Sequence, residues 1–334
     1  MELAKIFSDN MVLQANKPIR VFGTGEGSAT VSFCNVTKTV CAAGGRWEME
    51  FPPMPYGGPY CMQADLDGTI TQIQNIMLGE VILFAGQSNM AFPLKEEVPF
   101  DFDTAEESDL IRDYILPTDE KSAANTDCWQ LCKRENLQRW SAVGYHAAVQ
   151  LAKDRDVAIG MIELAQGASI IQSFLNPRLF EVHPELALTE EEIRQLNHTH
   201  DNYFWNEYSH IYENHFVTIV PYSVGNIVWY QGESNSTDLE APLYKDHLKA
   251  LLQMFREELK DDTIPVVVIQ ICDYIHRATS PAWKKIQDAQ MEIQAEVPGV
   301  VTVTSKDVCA HDNIHPPYKA DLGKKVAKQI HFDR

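Results

Sequence analysis

Apolar and polar positions fall into two textures along the chain. Through residue 77 they alternate in short stretches, at residues 19–22, 30–33, 47–51, 60–64 and 69–76, separated by Gly, Pro and Asn. A period of two predicts strands with one buried face, and Asp67-Gly68 between the last two stretches predicts a tight hairpin. Residues 1–77 therefore read as a small antiparallel β domain. Beyond Met77, apolar runs at 81–85, 157–162, 224–230, 264–271 and 300–303 predict strands buried on both faces. Helical stripes lie between them. Ser141 opens one over 141–154, and residues 241–259 align Tyr244, Leu248, Leu251, Leu252 and Phe255. Ser280-Pro281 caps a third that carries Trp283, Ile286, Ala289 and Ile293, and the last, from about Tyr318, carries Leu322, Val326 and Ile330. Strands interleaved with helices predict an α/β domain over 78–334, a three-layer α/β/α arrangement with a mostly parallel sheet and its site at the strand carboxyl ends. Two less regular insertions are expected, at 93–139 and 176–215.

Composition narrows the partners. With 28 Lys and Arg against 47 Asp and Glu, the net charge of −19 repels nucleic acid and anionic membrane. No apolar run approaches the roughly 18 residues that span a bilayer. The first residues lack the layout of a secretion signal, so a cytoplasmic location is the expectation. Seven cysteines leave at least one unpaired, and Cys128 and Cys132 have no matching second half-site. Reduced, mostly buried thiols and no metal are expected.

Candidate chemistry begins at Gly79, in GEVILFAGQSNM, where a buried strand runs into a polar turn that would present the Ser88 hydroxyl. An activated serine needs a base, a group to orient that base, and donors for the developing oxyanion. In Asp312-x-x-His315 a single turn can fold a carboxylate onto an imidazole. Gly167 follows one strand, where its backbone can approach a bound oxygen closely, and Gln231 and Asn235 follow another with amide donors. His183, His198, His200, His210 and His215, beside Tyr203, Phe204, Trp205, Tyr208 and Tyr212, match no metal-ligand spacing and suggest an aromatic rim over a sugar site.

GQSNM, a Gly-bearing loop, WYQGESN and D-x-I-H-P-P before a last helix, in that order, resemble the sialate O-acetylesterase branch of the SGNH/GDSL hydrolases. FSDNMVLQ at residues 7–14, GGPY at 57–60 and SAVGY at 141–145 extend the likeness over the chain. Met90 stands where a Gly-x-Ser-x-Gly elbow would have its last glycine, which disfavours an α/β-hydrolase. The resemblance implies Ser88 as nucleophile, His315 as base and Asp312 as its orienting acid. The Ser88 N–H, the backbone around Gly167 and the Gln231 side chain would form the oxyanion hole, with Asn235 as second choice to Gln231. Gln87, Asn89, Glu233 and Asn235 would contact substrate. It implies an acetyl-enzyme and neither metal nor organic cofactor. Two departures bear on sugar contacts: Gln166-Gly167-Ala168-Ser169 replaces the usual WGGT, and Phe174 stands where a Trp is common. No Arg or Lys adjoins the catalytic motifs, so nothing in the sequence shows recognition of a sialate carboxylate, and a neutral acetylated sugar such as an acetyl-xylan fragment is the alternative substrate reading. The rival readings are a catalytically silent carbohydrate-binding protein and a hydrolase of lipid or thioester acyl groups.

Overall fold

The computed structural model describes residues 1–118, 127–196 and 203–332. Its first strands are β1 (Glu2–Leu3), β2 (Val12–Gln14), β3 (Ile19–Thr24), β4 (Gly27–Phe33), β5 (Val36–Ala42), β6 (Arg46–Phe51), β7 (Gly57–Leu66) and β8 (Thr69–Gly86). β1, β3 and β6 form a small antiparallel sheet, while β4, β5 and β7 pair antiparallel and lead into β8. The β7–β8 turn is the expected hairpin. Asp67 and Gly68 hold φ of 51° and 86°, the left-handed pair that matches the twist of the flanking strands.

The stretches at 69–76 and 81–85 are not separate strands. Both belong to β8, and the expected division at residue 77/78 falls inside it. Gly79 does not break the strand; it permits a close crossing, since a Cβ there would lie 2.2 Å from the Ala158 carbonyl oxygen. The near half of β8 pairs with β7, and with β2 in parallel, whereas the far half enters a second array.

That array adds β9 (Ser108–Ile115), β10 (Trp129–Cys132), β11 (Ile159–Ala165), β12 (Asn226–Tyr230), β13 (Val266–Gln270) and β14 (Val300–Thr304). The order is β10-β9-β11-β8-β12-β13-β14, and every pair except β10–β9 is parallel. β9 and β10 arise within the expected irregular insertion. Their pattern is masked by Asp109, Arg112 and Asp113, of which the last two are buried. Arg112 donates to the carbonyls of Asn10 (2.9 Å) and Asp109 (3.1 Å). Asp113 meets Glu163 of the neighbouring strand, and burial pushes both carboxyls up.

The helices are α1 (Ser88–Ala91), α2 (Arg134–Leu137), α3 (Ala142–Arg155), α4 (Pro177–Val182), α5 (Glu190–Gln195), α6 (His210–Asn214), α7 (Tyr244–Glu258), α8 (Pro281–Glu296) and α9 (Ala320–Ala327). The start signals are realised: Ser141 Oγ accepts the Gly144 N–H (3.1 Å), and Ser280 Oγ that of Trp283 (3.3 Å). α9 packs against α3 so closely that a Cβ on Gly323 would fall 2.6 Å from that of His146.

All seven cysteines are free. They are not mostly buried, as expected: Cys132, Cys272 and Cys309 are, while Cys41, Cys61 and Cys128 are exposed and Cys34 is intermediate. Cys41 lies on the edge strand β5 and Cys128 beside the edge strand β10, while Cys61 lies on β7, between β4 and β8. Among the described residues, no helix is long and apolar enough to cross a membrane. Nor does any group of three His, Cys, Asp or Glu there cluster as metal ligands do.

Candidate active site

The parallel sheet converges its strand ends on one point. Gly86 at the end of β8 pairs with Ala165 of β11 on one side and Tyr230 of β12 on the other. Its φ of +150° and the 2.1 Å that would separate a Cβ from the Tyr230 carbonyl oxygen restrict the position to glycine. The chain then turns through Gln87 into α1, whose first residue is Ser88. Two ladder bonds continue past the strand and fix the turn: Gln87 N–H to Tyr230 O (3.0 Å) and Gln166 N–H to Gly86 O (3.0 Å).

The loop after β14 brings His315 onto this turn, and its Nε2 lies 2.8 Å from Ser88 Oγ. Burial, and then the positive charge of Lys319, hold the His315 imidazole below its usual value, with Glu96 pulling weakly the other way. Burial and Lys319 both favour its neutral form. Asn313 Oδ1 accepts the His315 backbone N–H (2.9 Å) and shapes the loop. Asp312 is exposed, and among the described residues no hydrogen bond joins it to His315.

The other expected residues divide between the cleft and the wall behind it. A cleft of about 960 Å³ is lined by Gln87, Ser88, Gly167, Glu233 and His315. Gly167 approaches Ser88 directly, because a Cβ there would sit 4.0 Å from that of Ser88. With the Gln166 amide turned so that its nitrogen donates to Thr118 O and Oγ1 (2.9 and 2.8 Å), its oxygen meets the Gly167 N–H at 3.2 Å. Ala168 takes the left-handed conformation, φ 57°, that a second glycine would favour. Asn206 clamps the loop, accepting from Ile170 N–H (3.1 Å) and donating to Ala168 O (3.0 Å).

Gln231, Asn235 and Asn89 lie behind the cleft wall. The Gln231 amide donates to Ser169 O (3.1 Å) and to Asn235 Oδ1 (2.7 Å), so both its N–H bonds are engaged within the protein. Asn235 also accepts from Ile171 N–H (2.9 Å) and donates to Gln172 and Glu240 (2.8 and 3.0 Å). Asn89 is fully buried and donates to Glu233 Oε1 (2.6 Å) and Ile314 O (2.9 Å). Glu233 faces both worlds: it lines the cleft, burial pushes its carboxyl up, and its Oε2 has no hydrogen-bond partner among the described residues. Phe174, where a sugar-contacting Trp was in question, is core, packed edge-on against Trp229 at 5.1 Å.

The aromatic rim is partly realised. Tyr203 and Trp205 stack at 4.6 Å and line the cleft. His183 is exposed, His215 lines a different cavity, and His198 and His200 lie outside the described residues. Two further residues carry charge into the region that motif reading did not find. Arg277 lines the cleft beside Asp238. Lys319, bonded to Asn89 Oδ1 at 2.6 Å, is buried beneath it. Arg277 gives no signal in sequence, because only the loop before α8 brings it to the site. Lys319 does: it stands three residues before Leu322, on the stripe that continues to Val326 and Ile330, a position whose side chain must face inward.

The chain is similar to a carbohydrate acetylesterase from Xanthomonas citri, at 25% identity with a TM-score of 0.82, over 98% of this chain and 74% of that one. It is also similar to the sialate O-acetylesterases of Mus musculus (22% identical, 98% of this chain and 72% of that protein) and Homo sapiens (22%, 98% and 69%). The model of the carbohydrate esterase family of sialic acid-specific acetylesterases (SASA) matches residues 79–331, from Gly79 ahead of the serine to beyond α9. The chain therefore belongs to that family of carbohydrate esterases.

Proposed function

We propose that this carbohydrate esterase is a serine hydrolase of the SGNH/GDSL type that removes O-acetyl groups from a sugar through an acetyl-enzyme. The observation that carries the reading is the 2.8 Å contact between Ser88 Oγ and His315 Nε2 on the wall of the cleft. Ser88 Oγ attacks the acetyl carbonyl carbon as its proton passes to His315 Nε2. The tetrahedral intermediate collapses, the C–O bond to the sugar breaks, and the same proton leaves with the sugar hydroxyl. Water repeats the sequence on the acetyl-enzyme and releases acetate. The Ser88 N–H is the donor that the cleft offers to the oxyanion, and the Gly167 N–H joins it once it leaves the Gln166 side-chain oxygen that it meets at 3.2 Å. Asp312 on the same loop is the carboxylate whose rotation would reach His315 Nδ1.

For the sugar, Arg277 favours an acidic one: its guanidinium suits a sugar carboxylate, and Tyr203 and Trp205 offer a ring face beside it. Asp238 at the same rim favours the second reading, a neutral sugar such as an acetylated xylo-oligosaccharide. Acetate release from the two substrate classes distinguishes them, and Arg277→Ala should raise KM for the acidic sugar alone. Ser88→Ala should lower turnover of a chromogenic acetyl ester by about 10³-fold or more. Retention within tenfold would refute the serine mechanism.

A further inference from the structure

Lys319 immediately precedes α9 and is completely buried. Its Nζ donates to Asn89 Oδ1 at 2.6 Å and lies 5.0 Å above the ring of Phe92 and 5.6 Å from that of Tyr230. Removing an ammonium from water is costly unless opposite charge or aromatic faces replace the hydration. Here they do so in part: burial holds the Lys319 ammonium below its usual value, while the thiols of Cys309 and Cys272 and the carboxyls of Glu233 and Glu97 pull it back toward the charged form and the two rings face it. A cation this expensive to bury is weak support for stability alone and suggests that it fixes a particular arrangement.

The arrangement it fixes is the join between the two catalytic segments. Asn89, which follows Ser88, receives Lys319 at its oxygen and donates through its nitrogen to Ile314 O (2.9 Å), the residue before His315. The same nitrogen reaches Glu233 Oε1 at 2.6 Å. Farther along, Glu97 Oε1 accepts the Lys319 backbone N–H (2.9 Å), and the Val98 N–H donates to Pro317 O (3.1 Å). Without these bonds the irregular loop would have little but the Ser88–His315 contact to hold it against the turn.

We propose that Lys319 is a positioning residue of the esterase site, holding the His315 loop in register with the Ser88 turn through Asn89. The inference rests on Ser88 and His315 being the reacting pair. A second consequence is electrostatic. The charged groups facing His315 are Lys319 from the start of α9, Glu96 from the segment after α1, Asp312 on its own loop, and Glu233 and Arg277 across the cleft. A buried positive charge disfavours a second one on the imidazole, so Lys319 extends activity toward acid.

The test is the pH dependence of kcat/KM for a small acetyl ester with Lys319→Met and Lys319→Gln. Both variants should move the acid limb upward by about half a pH unit or more, because the imidazole then protonates more readily. Lys319→Met should also lower kcat by about tenfold or more with KM nearly unchanged, since loss of register slows the reacting step rather than binding. Lys319→Gln, which keeps an N–H for Asn89, should recover part of kcat without restoring the limb. An unmoved limb together with wild-type kcat in both variants would overturn the proposal. If neither variant folds, the imidazole of His315 in the wild type, assigned by its loss in His315→Gln, can be titrated by NMR. The proposal requires a midpoint below the ordinary 6.5, and a midpoint at or above it refutes the electrostatic role of Lys319. Failure of the underlying mechanism would show separately, as turnover surviving in Ser88→Ala.

Discussion

The proposed nucleophile and the proposed base are held by opposite means. Ser88 follows the end of a central strand, and backbone does most of the placing: the ladder bonds of Gln87 and Gln166, and a glycine at 86 that lets β12 close in, with Gln87 Oε1 accepting the Gly232 and Ser234 N–H groups (3.2 Å each) as a side-chain addition. His315 stands on an irregular loop with no sheet behind it, and side chains place it, through Asn89, Glu97 and the buried Lys319. A backbone-built half has few adjustable parts and fails by steric clash. A half built from side chains tolerates change in shape but depends on charge and on each partner's presence.

Three substitutions test that contrast. The largest effect is expected on the base side, where Asp312→Asn should lower kcat by about 10²–10⁴-fold if the carboxylate swings onto His315 Nδ1. A loss of less than tenfold in steady-state assays would show that the loop orients the imidazole without it. On the nucleophile side, Gly86→Ala should destabilise the fold by about 3 kcal/mol or more, because neither β8 nor β12 can yield to a Cβ at 2.1 Å from the Tyr230 oxygen. A urea midpoint within error of wild type would mean that the turn is far more pliable than its hydrogen bonds indicate. The smallest effect belongs to the Gly167 loop: Ala168→Gly relieves a left-handed alanine but loosens the unfolded chain, for a net gain of about 0.5 kcal/mol seen in thermal unfolding. A loss of stability would show that the Ala168 methyl packs rather than strains.

The same contrast explains what sequence could reveal. The backbone-built half was legible because an apolar run ending in Gly86-Gln87-Ser88 states both the strand and its terminus. The helices announced themselves through Ser141 and Ser280, whose caps formed where expected. The base loop was legible only as Asp312-x-x-His315, since its supports come from residues 89, 97 and 319. β9 was hidden because a buried Arg112 and Asp113 imitate a surface pattern. Gln231, expected as an oxyanion donor, bonds Asn235 and the Ser169 carbonyl, and of the residues expected at substrate Asn235 bonds Gln172 and Glu240 while Asn89 bonds Glu233, Ile314 O and Lys319. A polar residue beside a catalytic motif can serve the wall as readily as the cleft, and only the pairing of its atoms distinguishes the two. Arg277 depends on a loop path that no local pattern encodes.

β8 carries a consequence for how the molecule can be cut. Its first half is an inner strand only because β7 lies beside it, while the adjoining Val81 N–H is held by Gln14 Oε1 (2.8 Å) from β2. A chain begun at residue 78 would retain every side chain proposed to be catalytic. It would lose Gln14 and Val12, the latter filling the space against Gly160, and expose apolar β8 surface and a raw strand end next to the nucleophile strand. Such a truncation should aggregate rather than yield a smaller enzyme, so the N-terminal strands act as the cover of the strand that leads into Ser88.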